Sequence, residues 1–238
     1  MTTPAAALST AAALVTTSSA NLPWRDDLDP RGLPETDRFT ASQHAILSAC
    51  VELFGDLGYA ATSVRDIAGL VGIKSASLYK SFPSKQAMLD ALSELGHDEF
   101  SRRQIAAVMD VGDDPRAQLS AVMQALVTMS CEYPRLTRIV NREVSSLSPA
   151  AFERDQSARL QSSRILRDVL DRGRRTGAFT NPDDDAVTVV FWSLGLGLAG
   201  WFPYAYGVTA DVLCASYADI ALRIVGATPP GPKGTRGT

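Results

Sequence analysis

The sequence predicts an all-α protein, and three observations carry that expectation. Apolar residues recur at spacings of three and four from Phe39 to Gly226, as in helices that bury one face. No stretch shows the period-two alternation of a half-buried strand. Caps, prolines and glycines punctuate the pattern at helical intervals. With 238 residues, 45% of them apolar, the chain is long enough to bury a substantial core.

The first helix opens on a capping-box pattern, Thr40 to Gln43, in which each side chain satisfies the other's free backbone N–H. Ile46, Leu47, Cys50, Val51 and Phe54 form its apolar stripe, and Gly58 marks its end. Ser63 and Asp66 cap a short second helix with Val64, Ile67, Ala68 and Val71 inward. Gly72 turns the chain into a third short helix around Ser75 to Ser81. Ser84 caps a fourth that runs to about Met109. Further helices are expected at about 114–131, 134–147, 149–175, 183–205 and 209–226, with Pro115, Pro134, Pro149 and Pro182 near four of the starts, where a missing N–H costs least.

Three helices within so short a run, with a glycine turn between the second and third, form a helix-turn-helix, whose later helix lies in the DNA major groove. The net charge of −3 argues against a protein that coats nucleic acid over its whole surface. Its distribution is uneven. Residues 38–85 hold Arg38, Arg65, Lys74, Lys80 and Lys85 against three acids, whereas residues 1–37 and 86–110 are each acidic. The basic excess sits on the helix-turn-helix.

The run AILSACVELFGDLGYAATSVRDIAGLVGIKSASLYKSFPSKQAMLDAL, Ala45 to Leu92, resembles the DNA-binding domain of the TetR family of repressors. The resemblance rests on Leu53-Phe54, Gly58-Tyr59, Thr62-Ser63-Val64, Asp66-Ile67-Ala68, Gly72-Ile73, Leu78-Tyr79, Phe82 and Ser84-Lys85. It implies a recognition helix at Ser75 to Lys80, with Ser75, Ala76 and Ser77 facing the bases. It further implies phosphate contacts from Tyr79 and Lys85, and from Thr62 and Ser63 at the start of the second helix. Lys74 and Lys80 depart from the family's usual residues. Both read as backbone contacts or base readout, and Ser75 is expected to replace Lys74 as the third helix's cap.

Composition marks a disordered arm at 1–37 and a disordered Pro/Gly tail at 227–238, and the resemblance implies a helix-turn-helix domain at 38–85 and a helical ligand-binding and dimerisation domain at 86–226. In the later domain the stripe Leu119, Val122, Met123, Leu126 and Met129 reads as core or as pocket lining. Met123, Leu126, Phe152, Phe191, Trp192 and Trp201 are the effector-pocket candidates, with Tyr204 beside them. Arg138 and Arg142 are candidates for an anionic part of the ligand, since arginine suits bidentate binding of carboxylate and phosphate. A solvated, salt-bridged face is the plainer reading of the many arginines here. SSLSPAAFERDQSARL and GLGLAGWFPYAYGVTADVLCASYADIALR are similar to C-terminal domains of TetR-type repressors that sense acyl-CoA thioesters. The partners so implied are a double-stranded DNA operator, a second copy through the last two helices, and a small hydrophobic effector of acyl-CoA type.

Other classes find little material. Cys50, Cys131 and Cys214 lie far apart and only His44 and His97 are present, so no metal site is expected, and the thiols read as buried and reduced in a cytoplasmic protein. No catalytic motif and no cofactor site is recognisable, so the chain is not read as an enzyme. Residues 186–210 carry no charge, which leaves a membrane-anchored regulator as the alternative. Five Gly and Pro residues inside that segment and acids at both ends favour burial in a large core or an oligomer interface instead.

Overall fold

The computed structural model describes residues 32–181, 184–202 and 208–227, and among them the chain is helical with no strand. The helices are α1 (Ala41–Leu57), α2 (Val64–Val71), α3 (Ser75–Ser81), α4 (Lys85–Asp110), α5 (Pro115–Glu132), α6 (Pro134–Arg142), α7 (Pro149–Arg175), α8 (Asp184–Trp201) and α9 (Ala210–Ile224). The predicted caps form. Thr40 and Ser63 complete capping boxes with Gln43 and Asp66, and the Ser84 hydroxyl accepts from the Ala87 N–H. Pro115, Pro134 and Pro149 open their helices. Pro182, Trp24 and Tyr204 lie outside the described residues.

Three expectations need correction. Lys74, not Ser75, is the N-cap of α3, and it makes no side-chain cap hydrogen bond. The helix expected over 134–147 stops at Arg142 and gives way to a short 3-10 turn, Val144–Ser146. Of the helix expected over 183–205, Asp184–Trp201 is helical, and residues 183 and 203–205 lie outside the described residues. Among the described residues no helix is long and apolar enough to cross a membrane. Finally, the last residues of the arm expected to be disordered over 1–37 are packed: Leu33 and Pro34 are buried, and just beyond them Arg38 pairs with Glu94 and Asp98 of α4 and Phe39 meets Phe82 ring to ring at 6.5 Å. Leucine and proline at 33–34 bury apolar surface that the surrounding acids conceal in a composition count.

The core runs across the expected boundary at 85/86. Ile46, Cys50 and Phe54 of α1, Ile67 of α2 and Leu78 of α3 pack in one cluster with Met88 and Leu92 of α4 and Leu136 and Ile139 of α6. The recognition unit is thus bolted to the later helices through α4 and α6. A second cluster joins Leu119 and Met123 of α5, Leu166 and Leu170 of α7, Phe191 of α8 and Ala221 of α9. Helix α5 is central, touching α4, α7, α8 and α9. Burial pushes the thiols of Cys50 and Cys131 up to about 12, so both behave as apolar packing groups.

Candidate functional site

Two places concentrate chemistry. The first is the exposed side of α2 and α3. Gly72 takes the left-handed conformation (φ 75°), and Ile73 N–H then returns to Ala68 O at 2.9 Å, closing α2 and swinging the chain into α3. Leu78 is fully buried and seats α3 on the core. The opposite side of α3 is free: Lys74, Ala76, Ser77, Tyr79 and Lys80 are exposed, Ser75 partly so, and Ser63 lies exposed at the start of α2. Tyr79 keeps half of its surface in solvent.

Two DNA candidates are engaged internally instead. The Thr62 side chain is buried and its hydroxyl donates to Gly58 O at 2.9 Å, so it stitches the α1–α2 loop rather than meeting a phosphate. The Lys85 ammonium donates to Tyr59 O and Thr62 O, both at 2.7 Å, and lies 4.2 Å from the centre of the Tyr59 ring. Those contacts spend two of its three N–H groups on holding the loop ahead of α2. Gly58 ending a helix just before Thr62 was the available signal, because exposed terminal carbonyls attract nearby donors.

The second place is a cavity of about 280 Å³. Gly96, His97 and Phe100 of α4 line it, with Leu126, Met129 and Ser130 of α5, Thr137, Val140 and Asn141 of α6, Arg159, Ser162 and Ser163 of α7, and Trp192 of α8. Its walls are mainly apolar. Phe100 and Trp192 meet edge to face at 5.8 Å, and Trp192 Nε1 donates to the Ser163 hydroxyl at 3.1 Å. One end is polar. His97 Nε2 lies 2.7 Å from Asp155 Oδ1, and Arg159 reaches both Asp155 oxygens, Asn141 Oδ1 and Val140 O. Burial outweighs the pull of Asp155 and holds His97 below its ordinary value. Burial raises Asp155, but donors from Arg159 and His97 prevail and hold it below the usual carboxylate range.

Of the pocket candidates, Leu126 and Trp192 line this cavity. Met123 and Phe191 are buried in the core behind it, whereas Phe152 and Trp201 are exposed and away from it. Arg138 and Arg142 lie on the other face of α6 and border a separate recess against the end of α1, where Arg138 Nη2 donates to Gly55 O at 3.3 Å. Helical spacing accounts for this: Thr137, Val140 and Asn141 share the cavity face, and the arginines at 138 and 142 fall outside it. His97, Asn141 and Arg159 went unrecognised in the sequence. The signal present was Asp155, an acid on the buried stripe of Ala151, Ser162 and Leu166, which demands buried partners.

Residues 46–92 match the family described as bacterial regulatory proteins, tetR family, and residues 112–225 match the tetracyclin repressor-like C-terminal domain. The HTH-type transcriptional repressor KstR2 of Rhodococcus jostii (strain RHA1) is 30% identical over 203 residues, which are 82% of this chain and 96% of that one.

The chain belongs to the TetR family of transcriptional regulators.

Solved structures agree with this membership. The ketosteroid transcriptional regulator KstR2 of Mycobacterium tuberculosis superposes with a TM-score of 0.75 at 26% identity, over 84% of this chain and 100% of that one. AibR in complex with isovaleryl coenzyme A and operator DNA shares the fold, with a TM-score of 0.70 at 20% identity, over 79% and 100%. In this TetR-family regulator α2 and α3 fall inside the N-terminal family match, and the cavity lies between α4 and the helices of the C-terminal match.

Proposed function

We propose that this regulator is a homodimeric, cytoplasmic repressor that leaves a palindromic operator when a small hydrophobic effector enters the cavity. The observation that carries the reading is the position of the cavity. It is lined by α4 and α6, and these same helices share a core cluster with α1, α2 and α3. An occupant that shifts α4 or α6 therefore acts on the seat of the recognition helix. It changes DNA affinity only insofar as it prefers one arrangement over the other.

The cavity is about twice the roughly 150 Å³ that holds benzene, so an acyl chain or small ring system fits inside. A whole CoA thioester does not, and its nucleotide end would lie outside. An acyl-CoA effector gains some support from AibR, whose structure holds isovaleryl coenzyme A. For the operator, the proposed contacts are Ser63, Lys74, Ser75, Ala76, Ser77, Tyr79 and Lys80, with Lys85 supporting the loop behind them. Dimerisation through α8 and α9 is favoured by Val189, Trp201, Val212 and Ile220, large apolar side chains left exposed there. A two-fold dimer matches half-sites about one or more helical turns apart.

The test is a mobility-shift assay on the DNA upstream of the protein's own gene, repeated with short-chain and cyclic acyl-CoA thioesters. Retardation that is reversed by a thioester is the expected result. Absence of retardation overturns the regulator reading on this DNA, and retardation unaffected by every thioester overturns the acyl-CoA effector.

A further inference from the structure

The donors at the polar end of the cavity can be counted. A guanidinium has five N–H groups. In Arg159, Nε donates to Asp155 Oδ2 at 2.8 Å, while Nη2 donates to Asp155 Oδ1 and to Val140 O, both at 3.1 Å. Nη1 donates to Asn141 Oδ1 at 3.2 Å. One N–H of Nη1 is left. A carboxylate binds arginine best through two parallel N–H groups, and the Nε/Nη2 side of the fork is already closed by Asp155. Beside it, Ser163 accepts from Trp192 Nε1 and keeps its own hydroxyl proton to donate.

Charge leads to the same conclusion. The Asp155 side chain has no solvent exposure and balances Arg159, and His97 at the same carboxylate is held below its ordinary value by burial. The polar end is thus one cation, one anion and a neutral imidazole. A carboxylate entering it would be a second anion sharing a single, already committed cation, and would lose its own hydration on the way. A ketone, ester or thioester oxygen takes the one N–H and the Ser163 proton without adding charge.

We infer that Asp155 sets the effector class: by occupying Arg159, it selects an apolar molecule carrying a neutral carbonyl oxygen and excludes the matching free acid. This rests on the cavity being the effector site, and the test separates the two claims. Three probes of like length are used: octanoate, methyl heptyl ketone and nonane. Their affinities are measured by calorimetry at neutral pH on the full-length wild type, Asp155→Asn and Ser163→Ala, with circular dichroism to verify folding.

In the wild type the ketone should bind about tenfold or more tighter than octanoate. Asp155→Asn keeps the shape but removes the competing anion, so octanoate should gain at least as much as the ketone loses and the ratio should fall towards one. Ser163→Ala also frees Trp192 Nε1 in the wall, so its readout is the ketone-to-nonane ratio, which should fall several-fold. The inference is overturned by octanoate matching the ketone in the wild type, by a ketone-to-octanoate ratio unmoved in folded Asp155→Asn, or by a ketone-to-nonane ratio indifferent to Ser163→Ala. Nonane binding as tightly as the ketone would also overturn it while leaving the cavity reading intact. Failure of all three probes to bind would overturn both.

Discussion

At the scale of single residues, the His97–Asp155–Arg159 group makes stability depend on pH in a definite direction. His97 in the folded chain titrates below the ordinary imidazole value of about 6.5. As pH falls through that value the unfolded chain takes up the proton first, so stability declines from there down to the depressed folded value. Asp155 is also held low, so its contribution is present above about 3.9 and is lost only as pH drops further towards its own folded value. Thermal denaturation should therefore show Tm falling between neutral pH and the mildly acidic range. His97→Gln should flatten that first decline, and an unchanged slope would remove His97 as its source. The sequence held a hint of this group, since Asp155 sits on a buried stripe with Arg159 one turn on, but His97 comes from α4 and Asn141, which Arg159 reaches, from α6. Contacts between residues far apart in the chain are beyond what spacing along one helix reveals.

Among the elements, those specified by local chemistry were legible in advance. The boxes at Thr40 and Ser63 and the glycine at 72 act within one turn of their own helix, and α1 and α2 begin and end where those residues place them. What could not be read was which face of α6 would meet which neighbour. Its cavity face carries Thr137, Val140 and Asn141, while Arg138 reaches Gly55 O on α1, so one of the two arginines that looked like ligand groups instead ties α6 to α1. The join of α5 to α8 gives a prediction at this scale. Gly195 lies so close to Leu126 that a Cβ there would overlap the leucine side chain. Gly195→Ala should drive Leu126 into the cavity, at a cost of about 1–3 kcal/mol in stability. Effector binding by calorimetry should be lost while DNA retardation persists. Unaltered effector affinity would show that Leu126 does not border the occupied space.

For the whole molecule, net charge is a poor guide and its distribution a good one. A total of −3 conceals five basic residues across 38–85, and Lys74 and Lys80 of that set lie exposed on or beside α3. On the proposed function, this face grips operator DNA. Fluorescence anisotropy on a labelled upstream duplex, comparing the wild type with the Tyr79→Ala/Lys80→Ala double variant across a salt series, tests it most directly. Both side chains are exposed, so the fold and Tm should be preserved. The double variant should lose affinity about tenfold or more and show a shallower salt dependence, since phosphate contacts are removed. Undiminished binding with the same salt slope would contradict it.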